Sequence, residues 1–308
     1  MKINELADAY QPLIASLTEA SAGITYFAHF LTPNPDAIEA GHELDAMKAF
    51  RHTYLLGILE RCHLACMTSL ARSDRWLQSA CTGVASQNVL GFAASLRGLL
   101  ESTADAHDVM SVLPNALHKL FPYLYLVFEE SDEVARVQIG LEDLENRLIH
   151  YAFAGRPQRG VQPLPQHKNK SNADYIRAFE AFGVAGAADL YAELCELTHP
   201  ASPSVFCFVD EGTHAMQLNF SRDEAIIADI LTRHEATIEN LTTLSLNPAL
   251  IGLCFLHRLV DEWPAPTDGM MAGIGNVAMR IKQLDAFVEK FEAGHLDREA
   301  LARAIARR

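Results

Sequence analysis

A chain of 308 residues with 49% hydrophobic and 21% charged residues has the apolar surface to offset chain entropy, which excludes a disordered polypeptide. Its formal net charge of −14 works against broad binding to phosphate backbones. Six cysteines include a single CxxxC, Cys62 and Cys66, with no second pair to match it; this excludes a zinc finger or disulfide scaffold and predicts reduced, mostly buried thiols.

The N-terminal residues include Glu5 and Asp8 where a signal peptide needs an apolar run, and the apolar runs 123–128 and 249–256 are too short to span a bilayer. A cytoplasmic protein with no membrane partner is expected.

Helical spacing dominates from the start. A first helix is predicted over about 4–21, and Thr32–Asp36 reads as a turn. A long helix starts near Ala37, with Leu44, Met47, Leu55, Ile58, Leu59, Cys62, Cys66 and Leu70 at helical intervals. Another covers about 88–113, ended by Pro114, because a residue before proline avoids the α region. A short helix precedes Pro122. Val134, Val137, Leu141, Leu144, Leu148 and Tyr151 mark the next long one.

The stretch 155–171, with three prolines and four basic residues, reads as an exposed loop. Asn172 is placed as the cap of a helix ending at Gly183, and Ala187–His199 forms a helix stopped by Pro200. Val205–Val209 is predicted as a strand that turns at 210–214 and pairs with the alternating Met216, Leu218 and Phe220. Ser221 and Glu224 read as a capping box, and Asn247-Pro248 as a break between two helices. The predicted architecture is all-α: a multi-helix bundle domain over 1–265 with one small β-hairpin near 204–220, followed by a C-terminal helical extension over 266–308. In that extension Ile281, Leu284, Phe287, Val288 and Phe291 form an apolar stripe that docks on the bundle or on a second copy of the chain.

Several residues are candidates for chemistry. Arg97, Glu101, Asp105 and Asp108 share one face of an otherwise apolar helix, either as a solvated stripe or as paired charges lining a pocket. His199 ends its helix on the same face as Tyr191 and Cys195, where an imidazole caps well and a Cys–His pair could form. Glu-x-x-His, the spacing that di-iron bundles use, recurs at Glu39/His42, Glu60/His63, Glu196/His199, Glu211/His214 and Glu292/His295. Of these, Glu60/His63 and Glu196/His199 lie on firm helices, with Glu101 as a candidate bridging carboxylate. Arg156, Arg159, Lys168 and Lys170 form a basic loop without interleaved aromatics, which reads as solvated.

The SLRGLLEST helix, the YAELCELTHP helix end, the hairpin and the helix after it resemble, over about 88–246, a group of bacterial helical proteins of the HEPN and abortive-infection type. The matching positions are Arg97, Glu101, Tyr191, His199 and Pro200. What the resemblance implies is an all-α bundle of bacterial origin with a role in phage defence or stress. RNA-cleaving members of that group carry Arg and His four to six residues apart on one helix. Here Arg147 and His150 are three apart, and Arg97 and His107 ten.

The reading that follows is a ligand- or partner-binding module acting through Arg97, Glu101, Tyr191 and His199, its partner a protein or a small molecule. A HEPN-like ribonuclease and a di-metal carboxylate oxidase or oxygenase are the alternatives. Whether the chain is an enzyme stays open, and no catalytic residue, metal or cofactor is assigned.

Overall fold

The computed structural model describes residues 3–26, 43–129, 132, 139–155, 165–168, 170–266, 275–295, 297 and 301. In chain order the α-helices are α1 (Ile3–Ala20), α2 (Glu43–Ala85), α3 (Val89–Met110), α4 (Leu113–Phe128), α5 (Glu142–Phe153), α6 (Asn172–Phe182), α7 (Ala187–Thr198), α8 (Ser202–Phe206), α9 (Asp223–Arg233), α10 (Glu235–His257) and α11 (Gly275–Glu292). One antiparallel hairpin, β1 (Val209–Glu211) and β2 (Met216–Leu218), interrupts them, with Val209 opposite Leu218 and Glu211 opposite Met216. The fold is an all-α bundle with a small β insertion.

The frame is the antiparallel pair α2–α3. Asn88 caps α3, its Oδ1 accepting from the Gly91 amide at 2.9 Å, and Gln87 turns the chain at φ 52°. Gly83 lies against the Phe92 backbone, where a Cβ would sit 2.6 Å from the Phe92 nitrogen, so the two helices meet closely near the turn. From there α3 runs through the middle of the bundle, against α2, α5, α6, α7, α9 and α10. Its apolar circumference explains this position: Phe92, Leu96, Leu99 and Leu100 are fully buried.

Two hydrophobic clusters result. One joins α1, the first half of α2, α4, α5, the second half of α10 and α11. The other gathers α3, the end of α2, α6, α7, α9 and the start of α10. The long helices α2 and α10 span both. The C-terminal stripe docks on the same chain: α11 lies on α4 and α10, Phe291 meets the Tyr125 ring edge-on at 4.8 Å, and Arg258 pairs with Asp285 at 2.6 Å.

Several local expectations need correction. Pro114 starts α4 rather than ending α3, since the first turn has no N–H partner to lose. Pro122 lies inside α4, and Pro248 inside α10. In α10 the buried Leu246, Ala249 and Leu250 keep the helix continuous through the proline, and Asn247, instead of capping, accepts from Tyr10 at 3.2 Å. The break falls at His234. Val205 and Phe206 belong to α8, with Pro203 in its first turn, so the first strand begins only at Val209. Arg222, whose side chain bonds to the Phe206 carbonyl and not to the helix's first amides, takes the cap position of α9; Glu224 is engaged elsewhere, by Gln87 at 2.9 Å. Ser171, not Asn172, caps α6. The turn at 32–36, the pair Glu39/His42, and Arg156 and Arg159 lie outside the described residues.

Candidate functional site

The polar stripe of α3 is neither solvated nor fully buried, and each of its acids has a cation. Arg97 Nε donates to Glu101 Oε1 at 2.8 Å, with 21% and 24% of the two side chains exposed. Asp105 accepts from Arg72 of α2 at 3.0 Å. Asp108 accepts from Arg147 of α5 at 2.8 Å and lies 3.6 Å from Lys170. Lys170, from the basic loop, thus folds back onto the stripe.

Arg97 is the hub of the first of these pairings. Its Nη1 donates to Thr198 Oγ1 at 2.9 Å and to His199 Nε2 at 3.0 Å, and its guanidinium lies 5.9 Å from the centre of the Tyr191 ring. Thr198 and His199 are the last residue and the C-cap of α7, so the end of that helix presents both acceptors together. The structure therefore brings Arg97, Glu101, Tyr191 and His199 to one place. Burial, a hydrogen bond with Cys195 and the nearby Glu101 push the Tyr191 phenol up to about 12. Cys195 faces Tyr191; its carbonyl accepts from the His199 amide at 2.8 Å, and among the described residues no bond between the Cys195 and His199 side chains is recorded.

Glu101 also forms the edge of a cleft of about 310 Å³ between α2, α3, α5 and α6. This is the lower end of the range for small-molecule sites. Gly98, Glu101, Ser102 and Asp105 of α3 form one side, and Arg72 and Trp76 of α2 stand opposite. Tyr151 and Tyr175 close the remaining walls. Arg72 sits over the Tyr151 ring at 5.8 Å and Lys170 over the Tyr175 ring at 5.5 Å. The Tyr175 hydroxyl meets His150 Nε2 at 2.6 Å. A second cavity, of about 250 Å³, shares Arg72 and Tyr151 and continues toward Arg61 and Thr68.

Sequence reasoning did not single out Arg72, Trp76, Gly98, Tyr151 or Tyr175 as site residues. One signal was available: a glycine inside a strongly helix-forming run implies close approach by another group. A Cβ at position 98 would lie 2.7 Å from three atoms of the Trp76 indole.

Among the described residues Glu60 and His63 are not joined by further donors into a metal site. His63 is fully buried, its Nδ1 is 2.7 Å from the Tyr26 hydroxyl, and its ring lies 4.8 Å from Trp263. Among the described residues no group of three or more His, Cys, Asp or Glu side chains could hold a metal ion. Among them, too, no helix is long and apolar enough to cross a membrane. Comparison of the chain with protein-family models, with curated proteins and with solved structures finds no match.

Proposed function

We propose that the chain is a binding module for a small polar molecule, held in the cleft between α2, α3, α5 and α6. The observation that carries this reading is the cleft itself: about 310 Å³ walled by a guanidinium, two carboxylates, an indole and two phenols, a density of convergent polar groups that a packed bundle has no structural need to leave open. The Arg97 cluster braces one edge of it by fixing Glu101. The resemblance noted from the sequence implies a bacterial source and a role in phage defence or stress.

The test is a fragment screen read by nuclear magnetic resonance on the full chain. With two tryptophans, the chain gives two indole N–H signals, and Trp76→Phe identifies the one in the cleft. Hits are expected to move the Trp76 signal and to lose their effect in Ala154→Trp, a substitution at another lining residue that fills the cleft. A screen in which no fragment moves that signal refutes the reading.

One contact favours a second reading, RNA cleavage: Arg97 and His199, 102 residues apart, meet at 3.0 Å, an Arg–His pair on two helices rather than at the one-helix spacing that the resemblance implies. Cleavage of a generic RNA that disappears in His199→Ala would support it. Equal activity in that variant would remove it.

A further inference from the structure

We infer that the cleft takes a small organic cation, which lays an apolar body on the open face of Trp76 and directs an ammonium group at Glu101. This rests on the reading of the cleft as a ligand site.

Three observations converge. The first is the placement of Trp76. Its indole lies flat on the backbone at Gly98, with three ring atoms equally close to where a Cβ would stand. One face of the ring is thereby covered by helix, while the side chain still lines the cleft and is 40% exposed. A large aromatic surface held rigidly and left half open is a stacking platform.

The second is which aromatic faces are already taken. Tyr151 has Arg72 over it and Tyr175 has Lys170. Among the described residues no protein cation is recorded over Trp76, which has the strongest attraction for one of the three ring types.

The third is the state of the two carboxylates. Asp105 is engaged by Arg72, so the one guanidinium of the lining already faces a carboxylate. Arg97 reaches Glu101 from outside the cleft lining and through Oε1; among the described residues no bond to Oε2 is recorded. Glu101 lies three residues beyond Gly98, one turn along the same helix face, so a molecule lying on Trp76 has a carboxylate oxygen at its end. Cations are also favoured on approach to a chain of net charge −14.

The experiment uses three probes of one shape and different charge: benzylammonium, benzyl alcohol and benzoate, titrated into the full chain while the two indole signals are followed. Benzylammonium is expected to move the Trp76 signal and leave that of Trp263 in place, with at least ten-fold higher affinity than either other probe. Glu101→Gln should lower its affinity ten-fold or more, whereas Glu101→Asp, which keeps the charge, should keep the preference for the cation. Benzoate or benzyl alcohol acting on Trp76 as strongly as benzylammonium would overturn the cation assignment while leaving a ligand site. An unchanged affinity in Glu101→Gln would overturn it as well. If neither these probes nor any fragment of the broader screen moves the Trp76 signal, the cation assignment and the cleft reading fall together.

Discussion

Arg97 has three hydrogen-bonding partners and Glu101 has one recorded, so the two ends of their ion pair should respond unequally to mutation. Arg97→Met removes the pair with Glu101 and the bonds to Thr198 and His199. An i,i+4 pair at an exposed site contributes roughly 0.3–0.5 kcal/mol. Partial burial raises this, and each hydrogen bond from the guanidinium adds about 1 kcal/mol. The expected loss is about 2–3 kcal/mol. Glu101→Gln leaves Arg97 held by Thr198 and His199 and keeps a carbonyl at the same place, so its cost should be about 1 kcal/mol or less. In a large domain each kcal/mol moves the melting midpoint by roughly 2–4 °C. Arg97→Met should therefore melt roughly 4–12 °C below the parent, and Glu101→Gln no more than about 4 °C below. Thr198→Val, which deletes a single acceptor, should fall between them. The assay is a thermal melt of the three variants side by side. Equal shifts below about 0.5 kcal/mol for Arg97→Met and Glu101→Gln would refute the hub and make the cluster a solvated stripe.

Four other outcomes are expected. Gly98→Ala gains about 1 kcal/mol of helix propensity but puts a methyl into the Trp76 ring, so it should change stability little while moving the Trp76 indole resonance and weakening cleft ligands; an unmoved resonance contradicts the packing. Two of the six thiols, Cys81 and Cys195, should react with Ellman's reagent in the native state, and the four buried ones only after unfolding; burial pushes the Cys62 thiol up to about 12. Burial also holds His63 down to about 4, whereas a free imidazole titrates near 6.5, so the unfolded chain binds the proton first: the stability it contributes is complete above about pH 6.5 and is lost as pH falls toward 4, by about 3 kcal/mol, and urea melts of His63→Gln should show a shallower acid slope. Deleting 268–308 should uncover Phe121 and Tyr125 on α4, seen as dye binding or a changed oligomeric mass; a truncated chain with unchanged mass and stability counts against the docked α11.

The fold class was legible because helical periodicity is a local property. Leu55, Ile58, Leu59, Cys62, Cys66 and Leu70 declare the face of α2 without reference to anything else in the chain, and all six are buried. Errors cluster where tertiary packing overrides a local signal. Pro248 costs a helix bond, yet buried neighbours on both sides keep α10 continuous. The alternation of Met216 and Leu218 suggests an inward apolar face; both are exposed, at 69% and 66%. At the site the α3 stripe was legible as a set of charges needing partners, and the capping position of His199 as a helix end. Their meeting depends on how α7 crosses α3, which no local spacing encodes. The cleft was illegible for the same reason: Arg72, Trp76, Tyr151 and Tyr175 come from three helices and share no sequence pattern.

The stripe on α3 also explains why an opening exists beside Glu101. A helix packed on nearly every side could be apolar throughout, and its charged residues make sense as register marks: Asp105 fixes α3 to α2 through Arg72, and Asp108 fixes it to α5 through Arg147. In each case the cation comes from another helix and draws it in. Glu101 differs, because its cation is Arg97, on its own helix and one turn back. That guanidinium turns its Nη1 to the end of α7, bonding Thr198 and His199. Among the described residues no cation of α2 or α6 pairs with Glu101, and the step between the Trp76–Gly98 contact and the Arg72–Asp105 pair stays open. Moving the cation would test this: Arg97→Met combined with Trp76→Arg should place a guanidinium from α2 opposite Glu101 and close the cleft. The double variant should then recover stability relative to Arg97→Met alone and lose benzylammonium binding. Stability no better than that of the single variant would mean that the cleft is held open by some other contact.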